Sequence, residues 1–244
     1  MRLAIISDIH SNLPALEAVL EAVDGSVAEE VWCLGDLVGY GADPDACTRL
    51  VSERCELSLV GNHDLAVLGE IEVGAFSPAA ADAVKWTQGV IAEETLAYLR
   101  EQAPADEGRE VGLYHASPRD PVWEYVLSVD QAAECLPLQS GRVSLIGHSH
   151  VTLFFVDPDG DAEVRGAHAE AGTRLELGEG RWLINPGSVG QPRDGDPRAA
   201  WLELDTEGWT ATYRRTEYDI DRAATSIVEA GLPEHLAARL HVGQ

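Results

Sequence analysis

Five short polar segments of this chain each follow directly on a run of apolar residues. They are Asp8-Ile9-His10, Gly35-Asp36, Gly61-Asn62-His63-Asp64, Tyr114-His115-Ala116 and Gly147-His148-Ser149-His150. The run Leu3-Ala4-Ile5-Ile6 precedes the first segment, and Val143-Ser144-Leu145-Ile146 precedes the last. Because open α/β folds hold their ligands where strands end, the placement predicts that these polar groups meet at one rim of a sheet.

The first 65 residues alternate between strand and helix patterns. Helix 1, which Ser11 or Asn12 would cap, has Pro14 in its first turn, and helix 2 carries Cys47, Leu50 and Val51 on one face. The predicted strands are Leu3–Ser7, Val31–Leu34 and Leu57–Val60. This βαβαβ pattern predicts parallel pairing with right-handed crossovers.

The remaining chain changes character twice. Residues 77–102 read as a helical insertion, which forms either a wall of the pocket or an ordinary flanking layer. Residues 220–240 read as two short helices split at Gly231-Leu232-Pro233. Between them, strand patterns predict an antiparallel meander over residues 153–156, 163–166, 174–177, 182–184, 200–204 and 209–214. With no linker or repeat, we expect one domain over residues 1–244 with two stacked sheets.

The charge balance limits the partners. Seventeen Lys and Arg stand against 42 Asp and Glu, which gives a formal charge of −25. Such a field repels nucleic-acid phosphates and anionic lipid, so neither a nucleic-acid polymer nor a membrane is an expected partner. The four cysteines show no C-x-x-C spacing, no cleavable signal precedes the first strand, and no segment approaches about 20 apolar residues. We therefore expect a cytoplasmic protein with free thiols.

The polar segments supply the side chains that bind first-row divalent metals. Taken alone, each has an ordinary interpretation: Asp-x-His as a capped turn, Asn62 as a left-handed turn, His115 as a core or surface histidine. Their joint occurrence after five strands favours a metal site instead. A mixture of carboxylate, amide and imidazole suits Mn, Fe, Zn or Ni better than Ca. The candidate ligands are Asp8, His10, Asp36, Asn62, His115, His148 and His150.

In this order the five segments resemble the signature of the calcineurin-like metallophosphoesterases. The segment Gly187–Arg193 and the tail near Gly231-Leu232-Pro233 resemble the bacterial branch labelled diadenosine tetraphosphatase-like. The resemblance implies a four-layer αββα sandwich, with two mixed sheets flanked by helices, and a centre of two divalent ions, with manganese expected and Fe, Zn or Ni as alternatives. It assigns Asp8, His10, Asp36 and His150 to one ion and Asp36, Asn62, His115 and His148 to the other, with Asp36 as the bridge.

The resemblance also implies a mechanism. A hydroxide that bridges the two ions would attack phosphorus in line with the leaving oxygen, and His63 would protonate that oxygen. Arg193 is a candidate clamp for a substrate phosphate, unless it is a surface residue paired with Asp194 or Asp196. Tyr40 is a candidate to stack on a substrate ring, unless it is only a packed loop residue.

One departure from the family pattern narrows the substrate. Protein phosphatases and symmetrical dinucleoside tetraphosphatases carry Gly-Asp-x-Val-Asp-Arg-Gly, whereas Gly39 and Tyr40 replace that second acid and the arginine here. This argues against both of those activities. The expected function is hydrolysis of small phosphomonoesters or phosphodiesters, including nucleotide-type ones. The alternatives are a non-catalytic metal-binding scaffold for protein contacts, as in the retromer subunit of similar fold, and a nuclease, which the acidic surface disfavours.

Overall fold

The computed structural model describes residues 1–158, 160 and 163–244. Their strands, in chain order, are Arg2–Ile6 (β1), Glu30–Cys33 (β2), Leu57–Ser58 (β3), Ala105–Asp106 (β4), Val111–Tyr114 (β5), Val143–Ile146 (β6), Thr152–Asp157 (β7), Arg165–His168 (β8), Arg174–Glu176 (β9), Arg181–Pro186 (β10), Ala199–Asp205 (β11) and Thr210–Thr216 (β12). Their α-helices are Leu13–Asp24 (α1), Pro44–Arg54 (α2), Asn62–Val67 (α3), Pro78–Val90 (α4), Glu93–Arg100 (α5), Val129–Cys135 (α6), Ile220–Glu229 (α7) and Glu234–Ala238 (α8).

Two six-stranded mixed sheets form the centre of the fold. The first has the strand order β3-β2-β1-β11-β12-β9, and the second has the order β4-β5-β6-β10-β7-β8. The pairs β1–β2, β2–β3 and β5–β6 are parallel. The predicted βαβαβ unit is therefore confirmed. Asn12 caps α1 by accepting a hydrogen bond from the Ala15 amide at 3.2 Å, with Pro14 in the first turn.

The predicted single antiparallel meander is wrong, although β7 pairs antiparallel with β8 and β11 pairs antiparallel with β12. Strands β7, β8 and β10 belong to the second sheet, whereas β9, β11 and β12 belong to the first. β10 lies between β6, to which it is parallel, and β7, to which it is antiparallel. Leu183 and Ile184 are both fully buried, on opposite faces of β10. A strand buried on both faces needs a central position, so burial, and not nearness in sequence, sets its neighbours.

The layers follow from alternation along the strands. In β1, Leu3 and Ile5 point into the core between the two sheets, while Ala4 and Ile6 pack against the helices that cover the first sheet. On the outer face of the second sheet, Ala132 of α6 packs in a core cluster with strand residues. The order is helices, sheet, sheet, helix, and this confirms the four-layer αββα architecture.

The helical insertion packs as a flanking layer. In α4, Ala83 and Val84 are fully buried, and Leu99 of α5 joins the same core as α1 and α2. The Asp45 carboxylate of α2 accepts a hydrogen bond at 3.0 Å from the amide of Ala92, the residue before α5. This bond holds the start of α5 against α2. The two predicted C-terminal helices are confirmed as α7 and α8. Across the described ranges, none of the helices has the length and apolar character that crossing a bilayer requires.

Candidate metal centre

The structure brings all seven candidate ligands together, six in loops that follow strands and Asn62 at the start of α3. Asp8 and His10 follow β1, Asp36 follows β2, Asn62 follows β3, His115 follows β5, and His148 and His150 follow β6. Each of the seven side chains is at most 3 % exposed. The carboxyl ends of parallel strands from both sheets therefore meet at one buried cluster of polar groups, as the segment placement predicts.

These loops have an unusual backbone. Eight described residues other than glycine have positive φ, and seven of them lie here, namely Asp8, His10, Ser11, Asp36, Tyr40, His148 and His150. Asp8 and His10 do not continue β1 as an extended strand, because their φ angles are 54° and 49°. A left-handed conformation costs about 1–2 kcal/mol per residue. Backbone strain of this kind concentrates at functional sites.

The first group of ligand atoms comprises Asp8, His10, Asp36 and His150, all within 4.8 Å of one another. His150 Nε2 lies 3.3 Å from a carboxylate oxygen of Asp8, and His10 Nε2 lies 3.5 Å from one of Asp36. The Nε2 atoms of His10 and His150 are 3.1 Å apart. Four potential metal-ligand atoms thus point at one small volume.

The second group comprises Asp36, His115 and His148, with Asn62 beside them. His115 Nε2 lies 3.6 Å from Asp36 Oδ2 and 3.2 Å from Asn62 Oδ1. Asp36 belongs to both groups. A carboxylate has two oxygens and can bridge two cations, so the position of Asp36 between the groups matches the bridging position that the resemblance implies.

Backbone carbonyl groups fix the proton on each imidazole. One ring nitrogen of each donates to a carbonyl oxygen: His10 Nδ1 to Val38 at 3.1 Å, His115 Nδ1 to Leu34 at 2.9 Å, His148 Nε2 to Trp123 at 3.2 Å, and His150 Nδ1 to Gln191 at 2.7 Å. A carbonyl oxygen can only accept, so this nitrogen carries the hydrogen of a neutral ring. The other nitrogen then faces the cluster with a lone pair, which is the usual arrangement of metal-binding histidines.

The ring nitrogens and carboxylate oxygens that face the cluster are therefore all hydrogen-bond acceptors, and they are directed at one another. Burial and the neighbouring imidazoles lower the pKa of His10 well below its usual range, and burial lowers the pKa of His148 to about 3 and that of His150 to about 4. The rings are thus neutral, and their lone pairs face each other and the carboxylates. Only a cation between them makes this arrangement favourable, so the donor set fits first-row divalent ions.

The two carboxyl groups differ electrostatically. Burial alone would raise the pKa of Asp8, but His150, His115 and a hydrogen bond from Ser7 hold it below its usual value. Burial, with the neighbouring charges of Asp64 and Asp8, raises the pKa of Asp36 well above its usual value. Asp36 therefore gains most from positive charge placed between the two groups.

Asp64 is a structural part of the centre that the sequence analysis left without a role. It is fully buried and accepts hydrogen bonds from the amides of Gly61 at 2.9 Å, Val38 at 3.0 Å and Leu37 at 3.2 Å. It thereby ties the loop after β2 to the loop after β3. The sequence signal was its place three residues after Gly61, where an acid in the first turn of α3 can accept a hydrogen bond from the amide that precedes the helix.

His63 lies at the edge of the centre without joining either group. It is 3 % exposed, and its ring centroid is 4.8 Å from that of His10 and 4.4 Å from that of Tyr40. Its Nδ1 has no hydrogen-bond partner among the described residues. A Cβ on Gly39, whose φ is +88°, would lie 2.5 Å from that nitrogen. Where the related motif carries an acid, this chain has a glycine that the close approach of His63 requires.

Arg193 reaches the centre from the loop after β10. Its Nη2 donates to Gln191 at 2.9 Å and to the Tyr40 hydroxyl at 3.4 Å. The alternative of pairing with neighbouring acids does not hold within the described residues, because Asp194 pairs with Arg215 and Asp196 chiefly with Arg198. The guanidinium therefore lies beside the Tyr40 ring, and no carboxylate of the described residues forms an ion pair with it.

Asn185, near the end of β10, and Ser188, in the loop that follows it, brace the centre. Asn185 Nδ2 donates to the Gly147 carbonyl at 2.7 Å, and Ser188 Oγ donates to the Asp8 carbonyl at 2.7 Å. Both side chains are buried. They hold the loops that carry Asp8 and His148.

Comparison with known proteins agrees with this geometry. The calcineurin-like phosphoesterase superfamily domain matches residues 1–207. An uncharacterised protein of Methanocaldococcus jannaschii is 39% identical over 250 residues, which cover 99% of this chain and 98% of that protein. The crystal structure of a metallophosphoesterase from Sphaerobacter thermophilus is 39% identical, with a TM-score of 0.90 over 100% of this chain and 99% of that one. A hypothetical protein of Pyrococcus horikoshii, 19% identical with a TM-score of 0.76, covers 100% of this chain and 98% of that one and shares the fold. The chain belongs to the calcineurin-like phosphoesterase superfamily.

Proposed function

We propose that this protein is an enzyme that hydrolyses small phosphomonoesters or phosphodiesters with two divalent metal ions. One observation carries the proposal: two groups of buried acceptor atoms, sharing Asp36, are directed at one another with neutral imidazole rings. A fold that binds no cation has no use for such an arrangement, since it is unfavourable until cations bind.

Each ion would have its own set of ligands, and the shared one would be Asp36. Asp8, His10, Asp36 and His150 would hold one ion, and Asp36, Asn62, His115 and His148 would hold the other. Bound by these residues, the two ions would supply an activated water and neutralise charge on a phosphoryl group. The mixture of oxygen and nitrogen ligands accepts several first-row metals, of which we expect manganese.

His63 and Arg193 would act on the substrate. His63 is next to Asn62 and buried at the edge of the centre, where it would donate a proton to the leaving oxygen. Arg193, which no acid neutralises among the described residues, would clamp a phosphoryl oxygen. Tyr40 lies against both side chains and would orient them. The formal charge of −25 favours small substrates over polymeric nucleic acid or a membrane.

The direct test is phosphate-ester hydrolysis by metal-depleted protein to which Mn, Fe, Zn or Ni is added back. We expect turnover of p-nitrophenyl phosphate or its bis-ester, with metal content measured in parallel. His63→Asn should lower kcat about 10²–10⁴-fold, the usual range for loss of a general acid. His168→Asn is the matched control, because that histidine is exposed on β8.

Absence of turnover with all four metals would contradict the proposal. So would a His63→Asn variant that behaves like the wild type. The scaffold alternative predicts both of these results together with intact metal binding.

A further inference from the structure

Three aromatic side chains from two distant loops close over the candidate centre. The ring of Phe76 meets that of His63 edge-on at 4.9 Å, and the ring of Trp123 meets that of Phe76 at 5.1 Å. Tyr125 stacks flat on His148, with centroids 4.1 Å apart and an angle of 20° between the planes. We call Phe76, Trp123 and Tyr125 the aromatic cover.

The cover shields the candidate centre from solvent. His63 and His148 are each 3 % exposed beneath the cover. A phosphoryl group therefore reaches the centre only if part of the cover moves.

The half of the cover that carries Trp123 is firmly held. The carbonyl oxygen of Trp123 accepts the hydrogen bond from His148, and the amide of Trp123 donates to Asp120 at 3.1 Å. The neighbouring Glu124 accepts hydrogen bonds from Ser117 Oγ and from Arg119 Nε at 3.1 Å. This network ties the segment to the centre and makes it a fixed wall.

The half that carries Phe76 is held mainly by apolar packing. Ile71, Val73 and Phe76 pack against the core but are only partly buried. The amides of Ala75 and Phe76 donate to carbonyl oxygens three residues earlier in the same segment. A Cβ on Gly69 or Gly74 would meet nothing within 4 Å. Partial burial, hydrogen bonds that stay within the segment and free space around glycines are the properties of a segment that opens locally. The segment from Gly69 to Phe76 is thus the less firmly held half of the cover.

We propose that Phe76 is a gate over His63 and that Trp123 is the wall against which the organic group of the ester lies once the gate has opened. This inference rests on the proposed function. A planar ring that enters replaces the contact between Phe76 and Trp123 with another aromatic contact at the same wall. The centre therefore favours esters of planar ring alcohols over esters of small alkyl alcohols.

The gate itself is tested without any turnover, by modification of histidines with diethyl pyrocarbonate and peptide mass spectrometry. Exposed His168 and His235 serve as internal references in each sample. Phe76→Ala should speed modification of His63 about two- to tenfold, the change in opening equilibrium that loss of one aromatic pair produces. Phe154→Ala is the matched control, because Phe154 is also partly buried and contacts Trp182 far from the centre.

Two results would overturn the gate. One is modification of His63 in the wild type as fast as that of His168. The other is an equal rate for His63 in Phe76→Ala and in the wild type.

The wall is tested by the ratio of kcat/KM for phenyl phosphate to kcat/KM for methyl phosphate. Comparing this ratio between variant and wild type cancels the intrinsic difference between the two leaving groups. Trp123→Ala should lower the ratio by about tenfold, mainly through KM for the phenyl ester, whereas Phe154→Ala should leave it unchanged. An unchanged ratio in Trp123→Ala would overturn the wall. If the wild type hydrolyses neither ester with any metal, the proposed function fails, while histidine modification still reports on the gate.

Discussion

Removal of Arg215 should destabilise this protein more than removal of its neighbour on the same strand. The Arg215 guanidinium, 4 % exposed on β12, pairs with the Asp194 carboxylate, 8 % exposed in the loop of Arg193. Asp194 Oδ2 also accepts hydrogen bonds from the amide and the hydroxyl of Thr152, at 3.2 and 3.0 Å. This buried ion pair anchors the Arg193 loop to the start of β7.

The size of the effect follows from desolvation. In Arg215→Met the Asp194 carboxylate stays buried without its counter-charge, which costs about 3–5 kcal/mol. In Asp194→Asn, Arg215 keeps its hydrogen bonds to the carbonyls of Asp196 and Arg198, so the loss should be only about 1–3 kcal/mol. The double variant should lose less than the sum of the two single losses, because it leaves no unpaired buried charge.

The assay is urea unfolding of the wild type, both single variants and the double variant. Arg214→Met is the control, because Arg214 is 44 % exposed in its ion pair with Glu203, and such surface pairs contribute about 0–1 kcal/mol. If Arg215→Met is as mild as Arg214→Met, or if the two single losses simply add, the buried pair is not an anchor.

Three further predictions concern the centre and its surroundings. Gly39→Ala should destabilise the protein by about 1–2 kcal/mol and displace His63, because the φ of Gly39 is +88° and the new Cβ would lie 2.5 Å from His63 Nδ1. Urea unfolding measures this loss, with Gly178→Ala as the control, because a Cβ on Gly178 would meet nothing within 4 Å. Equal losses in the two variants would refute the steric reason. Burial raises the pKa of the Cys33 thiol to about 12, so at pH 8 it should resist iodoacetamide until the protein unfolds; rapid labelling of the native protein would count against this. Metal depletion with a chelator should lower the thermal midpoint and re-addition should restore it, because an ion at about 100 times its Kd stabilises by about 2.7 kcal/mol; an unchanged midpoint would show that the inward-facing acceptors need no cation.

The sequence was sufficient to predict which residues form the candidate centre, because each ligand segment can be identified from its immediate neighbours in the chain. Each polar segment comes directly after an apolar run, and the ends of parallel strands meet, so the nearness of Asp8, Asp36 and His115 follows from strand order. The left-handed backbone of Asp8 and His10 did not follow. Neither residue type demands that conformation, which arises from hydrogen bonds of their amides to the carbonyls of Gly35 and Asp36 on another strand loop.

The pairing of the later strands was not readable from the sequence. Asp-Gly and Glu-Gly turns indicate where strands end but not which strands become neighbours. β10 pairs with β6 and β11 pairs with β1, and each pairing joins segments far apart in the chain. The burial of both faces of β10 and of β11 makes these pairings favourable, and it appears only when the two sheets stack.

The aromatic cover was also beyond sequence reasoning. Trp123 and Tyr125 read equally well as a surface patch or as core, and Phe76 precedes a predicted helix without any signal of its own. Their common role depends on tertiary contacts with His63 and His148. The organisation as one domain, the cytoplasmic location and the choice of manganese stay predictions.

The most direct test of the two-ion centre is the number of metal ions bound per chain. We expect calorimetric titration and elemental analysis of the wild type to give two ions per chain. Asp36→Asn should weaken binding at both sites, because Asp36 belongs to both groups of donors. Asp82→Asn, on the exposed face of α4, should bind like the wild type. A well-folded wild type that binds fewer than two ions at saturating metal, or an Asp36→Asn variant that still binds two with unchanged affinity, would contradict the shared centre.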